Sequence, residues 1–111
     1  MLNQLRVDEL LTAIGERTPA PASGAATALT AALAAALAEL AARFAGNEED
    51  AGRAHALATE LVRLGDEDAA AYAAFMEDRN EETRAETIRI PEEIARRAEE
   101  AVEIAERATE K

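Results

Sequence analysis

Three consecutive acids, Asp66, Glu67 and Asp68, precede the chain's single tyrosine, Tyr72, and are the residues best suited to proton chemistry. On a helix each residue turns by about 100°, so three adjacent acids point in three directions and cannot all meet one surface. Asp68 lies four residues after Leu64 and four before Tyr72, in line with core-forming side chains. A carboxylate so placed needs a partner or takes up a proton more readily, which makes it a candidate general acid or base. Asp66 is the second candidate. The spacing equally admits a plainer reading, with Asp66 and Asp68 as surface or locally hydrogen-bonded residues beside a turn loosened by Gly65.

The second chemical feature is the segment Thr18-Pro-Ala-Pro-Ala-Ser-Gly-Ala, which opens into a long alanine-rich stretch. Pro19 and Pro21 disfavour helix for the residues before them. Ser23 can cap the first-turn N–H groups, and Gly24 lets another group approach the backbone. Such a helix start is ready to receive an anion or carbonyl oxygen, and it is also what any capped bundle helix needs.

The elements that position these features are helices. Alanine is the best helix former, glycines and prolines are few, and no β-branched run occurs, so the chain reads as all-α. A first helix is expected over residues 4–17, with Leu5, Leu10, Leu11 and Ile14 mostly on one face, ended by Gly15 and Pro19. A second is expected over 23–44, with Leu29, Leu33, Leu37 and Leu40 as a leucine stripe among alanines, stopped by Gly46 and Asn47. A third should span 47–78, with Leu57, Leu61, Leu64, Asp68, Tyr72 and Phe75 near one face. A fourth, capped by Asn80, should reach toward Lys111, with Pro91 kinking it or marking its true start. Its inward stripe is read as Ile94, Ala98, Ala101, Ile104 (or Val102), Ala105 and Ala108. The expected architecture is an up-and-down bundle of about four helices around an Ala-rich central helix.

Composition narrows the function classes. At 111 residues the chain is one domain, of a size at which oligomerisation often supplies missing burial. With one Tyr, two Phe and no Trp, its helices must pack at close range through small faces. A formal charge of −11 argues against nucleic acid or an anionic membrane surface as the main partner. The absence of cysteine removes thiol nucleophiles and disulfides and suits a cytoplasmic setting. No signal peptide is expected, and the apolar run from Ala25 to Ala38 meets Glu39 and Arg43 too soon for a membrane crossing, so it reads as a buried soluble helix.

Other polar residues read as structural. His55 sits between alanines with no second histidine or cysteine to share a metal, so it is expected as a partly exposed helix residue. Glu99, Glu100, Glu103 and Glu106 form a solvated face that Arg96, Arg97 and Arg107 can neutralise. No metal site is expected.

Three ordered motifs resemble the cyclodeaminase/cyclohydrolase family of folate enzymes. Pro19-Ala-Pro-Ala-Ser-Gly-Ala-Ala is similar to that family's Pro-Thr-Pro-Gly-Gly-Gly-Ser-Ala turn and keeps one of its three glycines. Asp66-Glu-Asp-Ala-Ala-Ala-Tyr resembles Asp-x-Asp-Ala-x-Ala-Phe, and Ile90-Pro-Glu-Glu-Ile-Ala-Arg-Arg-Ala resembles Val-Pro-Leu-Glu-Ile-Ala-Glu-Lys-Ala. The resemblance implies a single domain over residues 1–111, shortened after Phe44 and Met76 and lacking the family's C-terminal helices. It implies a homodimer acting on a tetrahydrofolate derivative, with no permanently bound cofactor. The reaction would be cyclisation of a formimino group with loss of ammonia, or opening of a methenyl ring by water. Asp68, with Asp66, would then be catalytic, while Pro21, Ala22, Ser23, Gly24, Ala25 and Tyr72 would line the substrate.

The shortened helix ends and the incomplete glycine turn favour a different class, a noncatalytic helical interaction module of the same fold. Ala22 and Ser23 replace glycines, and the excess acid would repel a folate glutamate tail unless Arg43, Arg53 or Arg63 gathers near it.

Overall fold

The computed structural model describes residues 4–16 and 23–110, with Ser23 described by its backbone alone. Four helices follow in order: α1 (Val7–Gly15), α2 (Ser23–Phe44), α3 (Glu48–Glu77) and α4 (Glu81–Thr109), with no strand among the described residues. α2, α3 and α4 pack pairwise on one another, and the short connections at 45–47 and 78–80 make chain neighbours antiparallel. This is the all-α bundle expected. α1 stands outside its core, with no buried residue.

The turns explain where the helices stop. α2 ends in a Schellman arrangement: Gly46 takes φ +77°, its N–H reaches the Arg43 carbonyl, and the Asn47 N–H reaches the Ala42 carbonyl. Asn47 then caps α3 by accepting from the Asp50 N–H at 3.0 Å. Asn80 caps α4, accepting from the Thr83 N–H at 2.9 Å while Thr83 Oγ1 accepts from the Asn80 N–H.

Several expected boundaries move. α1 begins at Val7 rather than residue 4, because the Glu9 carboxylate accepts the Arg6 N–H and fixes Arg6 as the cap. It ends at Gly15, with Glu16 already extended; Arg17 and Pro19 lie outside the described residues. Pro91 does not start the last helix, which begins ten residues earlier at Glu81 and runs on through the proline. Buried Ile90 and Ile94 on either side hold that stretch against the core.

The larger correction concerns α2. Its buried stripe is Ala25, Ala28, Ala32, Ala35, Ala38 and Ala42, spaced by three and four residues. Leu33 and Leu37 are each 67% exposed, and Leu40 and Phe44 are also out in solvent. α2 is therefore buried along one side only. Alanine wins the inner face because it lets the three backbones approach closely, and α3 and α4 supply the bulk from their side, through Leu57, Leu61, Leu64, Ile94 and Ile104. On α4, Ala101 joins these in the core, while Val102 is exposed.

The α3–α4 contact is edged by ion pairs. Arg53 binds Glu100, Arg97 binds Glu60 at 2.9 Å, and Arg107 binds Asp50 at 2.9 Å. Arg96 and Arg97 do pair within α4, but with Glu93 rather than with the glutamates expected, and further pairs run between helices. Glu100 goes to Arg53 of α3, while Arg97 and Arg107 reach across to α3 acids.

Candidate functional site

Gly65, Asp68 and Gly24 mark where α2 and α3 come closest. A Cβ built on Gly65 would stand 3.2 Å from the Ala28 Cβ and 3.4 Å from the Ala25 carbonyl oxygen, tighter than ordinary contact. Gly65 is thus a crossing point inside an unbroken helix, not a loosened turn. One turn further along α3, Asp68 is 8% exposed, the buried charged residue of the core. Its carboxylate lies directly over Gly24. A Cβ there would fall 2.3 Å from Asp68 Oδ2, 2.7 Å from Cγ and 2.8 Å from Oδ1, so no side chain fits while the carboxylate keeps its place.

This seat is at the first turn of α2, where backbone N–H groups have no partner within the helix. Burial pushes the Asp68 carboxyl up from the ordinary aspartate range. A carboxyl that resists ionisation beside a helix N-terminus can hold a proton, deliver it, and take one back. No hydrogen bond to another described side chain occupies it.

The other expected site residues divide into groups. Ala25 is buried beside the crossing, with its backbone against Gly65. Tyr72 lies one turn beyond Asp68, 38% exposed, at about 6 Å of helical rise. Asp66, half-buried, is two residues from Asp68, so it turns to the far side of α3 and does not share the seat. Pro21, Ala22 and the Ser23 side chain lie outside the described residues.

A cleft of about 360 Å³ between the C-terminal half of α3 and the start of α4 is lined by Glu67, Ala71, Glu86, Arg89 and Ile90 among others. It runs beside Asp68 in sequence, but Asp68 does not line it. Gly65 is a close-packed neighbour of the seat, where the sequence admitted a loosened turn. Its signal was a glycine three residues before the acid on a helix facing an alanine stripe, a pattern of close approach.

The arginines considered as anion receivers are all engaged. Arg43 binds Glu39 and Glu48, Arg53 binds Glu60 and Glu100, and Arg63 binds Glu67. His55 is exposed and sits 3.1 Å from Glu39 through Nδ1. Among the described residues no group of three or more histidines and acids is arranged to hold a metal ion.

The family model described as formiminotransferase-cyclodeaminase matches residues 6–111, and the chain belongs to that family. No curated protein and no solved structure matches it.

Proposed function

We propose that this member of the formiminotransferase-cyclodeaminase family acts on the one-carbon unit of a reduced folate, with Asp68 as the proton-transfer group. The observation that carries the reading is the seating of Asp68 on Gly24, which joins an acid of one motif to the glycine of another. In the cyclisation, the neighbouring folate nitrogen attacks the formimino carbon and loses its proton. The leaving nitrogen takes up that proton and a second one from solvent, its bond to the carbon breaks, and ammonia departs, leaving a cationic methenyl bridge. In the hydrolytic direction, water adds to the methenyl carbon, one ring bond to nitrogen opens, and a proton is released. Either course needs one group that gives and takes a proton beside the one-carbon unit, and a carboxyl with a raised pKa suits that need. Backbone N–H groups at the start of α2 would receive a carbonyl or carboxylate of the substrate.

Ammonia release from 5-formimino-tetrahydrofolate and loss of the methenyl chromophore in water test the two directions. Wild type should catalyse one of them, and Asp68→Asn should lower the rate by about 10²–10⁴, the usual worth of general acid–base help. A rate unchanged by Asp68→Asn would remove Asp68 from the chemistry.

One observation favours the second reading, a family scaffold without turnover. Arg43, Arg53 and Arg63 are each already paired with carboxylates, which leaves none of them free to greet an anionic glutamate tail. Under that reading no turnover of either compound is seen and Asp68→Asn changes nothing but stability.

A further inference from the structure

Helix α3 contains two glycines, Gly52 and Gly65, in different surroundings. A Cβ built on Gly52 would meet nothing within 4 Å, so that glycine faces open space. One on Gly65 would press on the Ala28 Cβ and the Ala25 carbonyl of α2, and those neighbours would have to give by a few tenths of an ångström. Elsewhere along its buried stripe α3 carries Leu57, Leu61 and Leu64, whereas at Gly65 it offers bare backbone. A glycine inside a helix forfeits helix propensity, and of the two only Gly65 offsets that loss with a close approach.

Asp68 is the next buried residue of α3 after Gly65, and Gly24 lies just before Ala25 and Ala28 at the start of α2. Gly65 on Ala25 and Ala28, and Asp68 on Gly24, are therefore adjacent rungs of one antiparallel helix contact. A closely packed interior passes a displacement from one rung to the next. We infer that Gly65 is a positioning residue: by presenting no side chain it sets the separation of α2 and α3 at which the Asp68 carboxylate rests on Gly24. Its part in turnover rests on the folate reading, whereas the seat itself can be followed without any substrate.

The charges around the seat leave helix separation as the control. From Ser23 to Ala38, α2 brings no ionisable side chain. On α3, Asp66 turns to the far side, and Glu67 lines the cleft shared with α4 and pairs with Arg63. On α4, Glu86 and Arg89 line that same cleft and pair with each other, while Glu93 pairs with Arg96 and Arg97. Burial, with no contribution from a neighbouring charge, is what pushes the Asp68 carboxyl up. Parting the two helices admits water and brings it back toward the ordinary aspartate range.

Carbon-13 labelling of the aspartate side chains reads the seat directly, since the chain has five aspartates and Asp68→Asn assigns the one of interest. In an NMR pH titration Asp68 should titrate above the ordinary aspartate range in wild type and in Gly52→Ala, and closer to that range in Gly65→Ala. Adding Ala28→Gly to Gly65→Ala removes the methyl that the new Cβ meets first, and should return the titration toward wild type. A merely structural role predicts the reverse, because a glycine in α2 weakens that helix. With whichever folate wild type turns over, Gly65→Ala should lower kcat about 10-fold with KM little changed, as a 1 Å misplacement costs about 10²-fold. The same second substitution should restore it. An Asp68 titration identical in wild type and Gly65→Ala, or one moved further by Ala28→Gly, overturns the inference. So does a Gly65→Ala protein that loses its helicity, since Gly65 would then serve the fold at large. Absence of turnover in wild type counts against the folate reading, and the titration still decides the role of Gly65.

Discussion

Leu57, Leu61 and Leu64 of α3 and Leu33, Leu37 and Leu40 of α2 carry the same side chain at the same helical spacing, yet the first set is buried and the second is exposed. The difference lies in what stands opposite. α3 turns its leucines toward an alanine face of α2, where closely packed backbones leave room for branched side chains. α2 spends its own inner face on alanine and so has no room there for leucine. Two leucine stripes facing each other would hold the helices further apart and lift Gly65 and Asp68 away from Ala28 and Gly24. The buried stripe therefore sets the fold, and the exposed one takes no part in the core.

The sharpest way to break this comparison is to truncate one leucine of each kind. Leu61→Ala should cost 2–5 kcal/mol in chemical denaturation, as expected for a fully buried leucine, at every protein concentration. Leu37→Ala, at an exposed position, should cost within about 0.5 kcal/mol. Equal losses would mean that both stripes serve the fold.

A smaller effect is expected at the crossing. Gly24→Ala gains up to ~1 kcal/mol of helix propensity but must displace the Asp68 carboxylate, an overpacking cost of about 1–3 kcal/mol. Net destabilisation should be about 1 kcal/mol, and it should vanish when Asp68→Ala is added. Additive losses in this double-mutant cycle would show that the two residues do not touch.

The pH dependence of Asp68 is subtler. Burial raises its folded pKa, so the protonated form's stabilising contribution is full below the ordinary aspartate value of 3.8 and is lost as pH rises through the raised value. Asp68→Asn should therefore have a higher Tm than wild type at pH 7, with the gap closing as pH falls below 4. A gap that widens toward acid would reverse the assignment. Glu100 behaves oppositely, because its hydrogen bond from Arg53 holds its carboxyl low and its contribution disappears toward acid. The smallest effect belongs to exposed pairs such as Arg107–Asp50, where Arg107→Ala should lower the Tm only slightly, and less at high salt.

Much of the fold was legible because it depends on local rules. Asn47 and Asn80 caps, the Gly46 stop and the α3 stripe from Leu57 to Asp68 follow from propensity and spacing. The buried face of α2 was not legible in that way. Its leucines and alanines both recur with helical period, and which stripe faces inward is decided by the neighbours' bulk, a tertiary fact. At Pro91 the proline rule left a kink or a helix start open, and the helix that runs on through it, between buried Ile90 and Ile94, removes the start. At the site, Asp68 was readable from its register with Leu64 and Tyr72. Its meeting with Gly24, 44 residues away in the chain, needed the α2–α3 crossing. Asp66 shares the motif but, two residues along the helix, turns away from the Gly24 seat.

The most direct test is calorimetric titration of 5-formyl-tetrahydrofolate, a stable reduced folate, into wild type and Asp68→Ala side by side. Saturable binding to wild type, weakened by the substitution, is the predicted result and would put the folate at the meeting of α2 and α3. No heat from a wild-type protein shown to be folded and helical, or identical binding by both proteins, would contradict it.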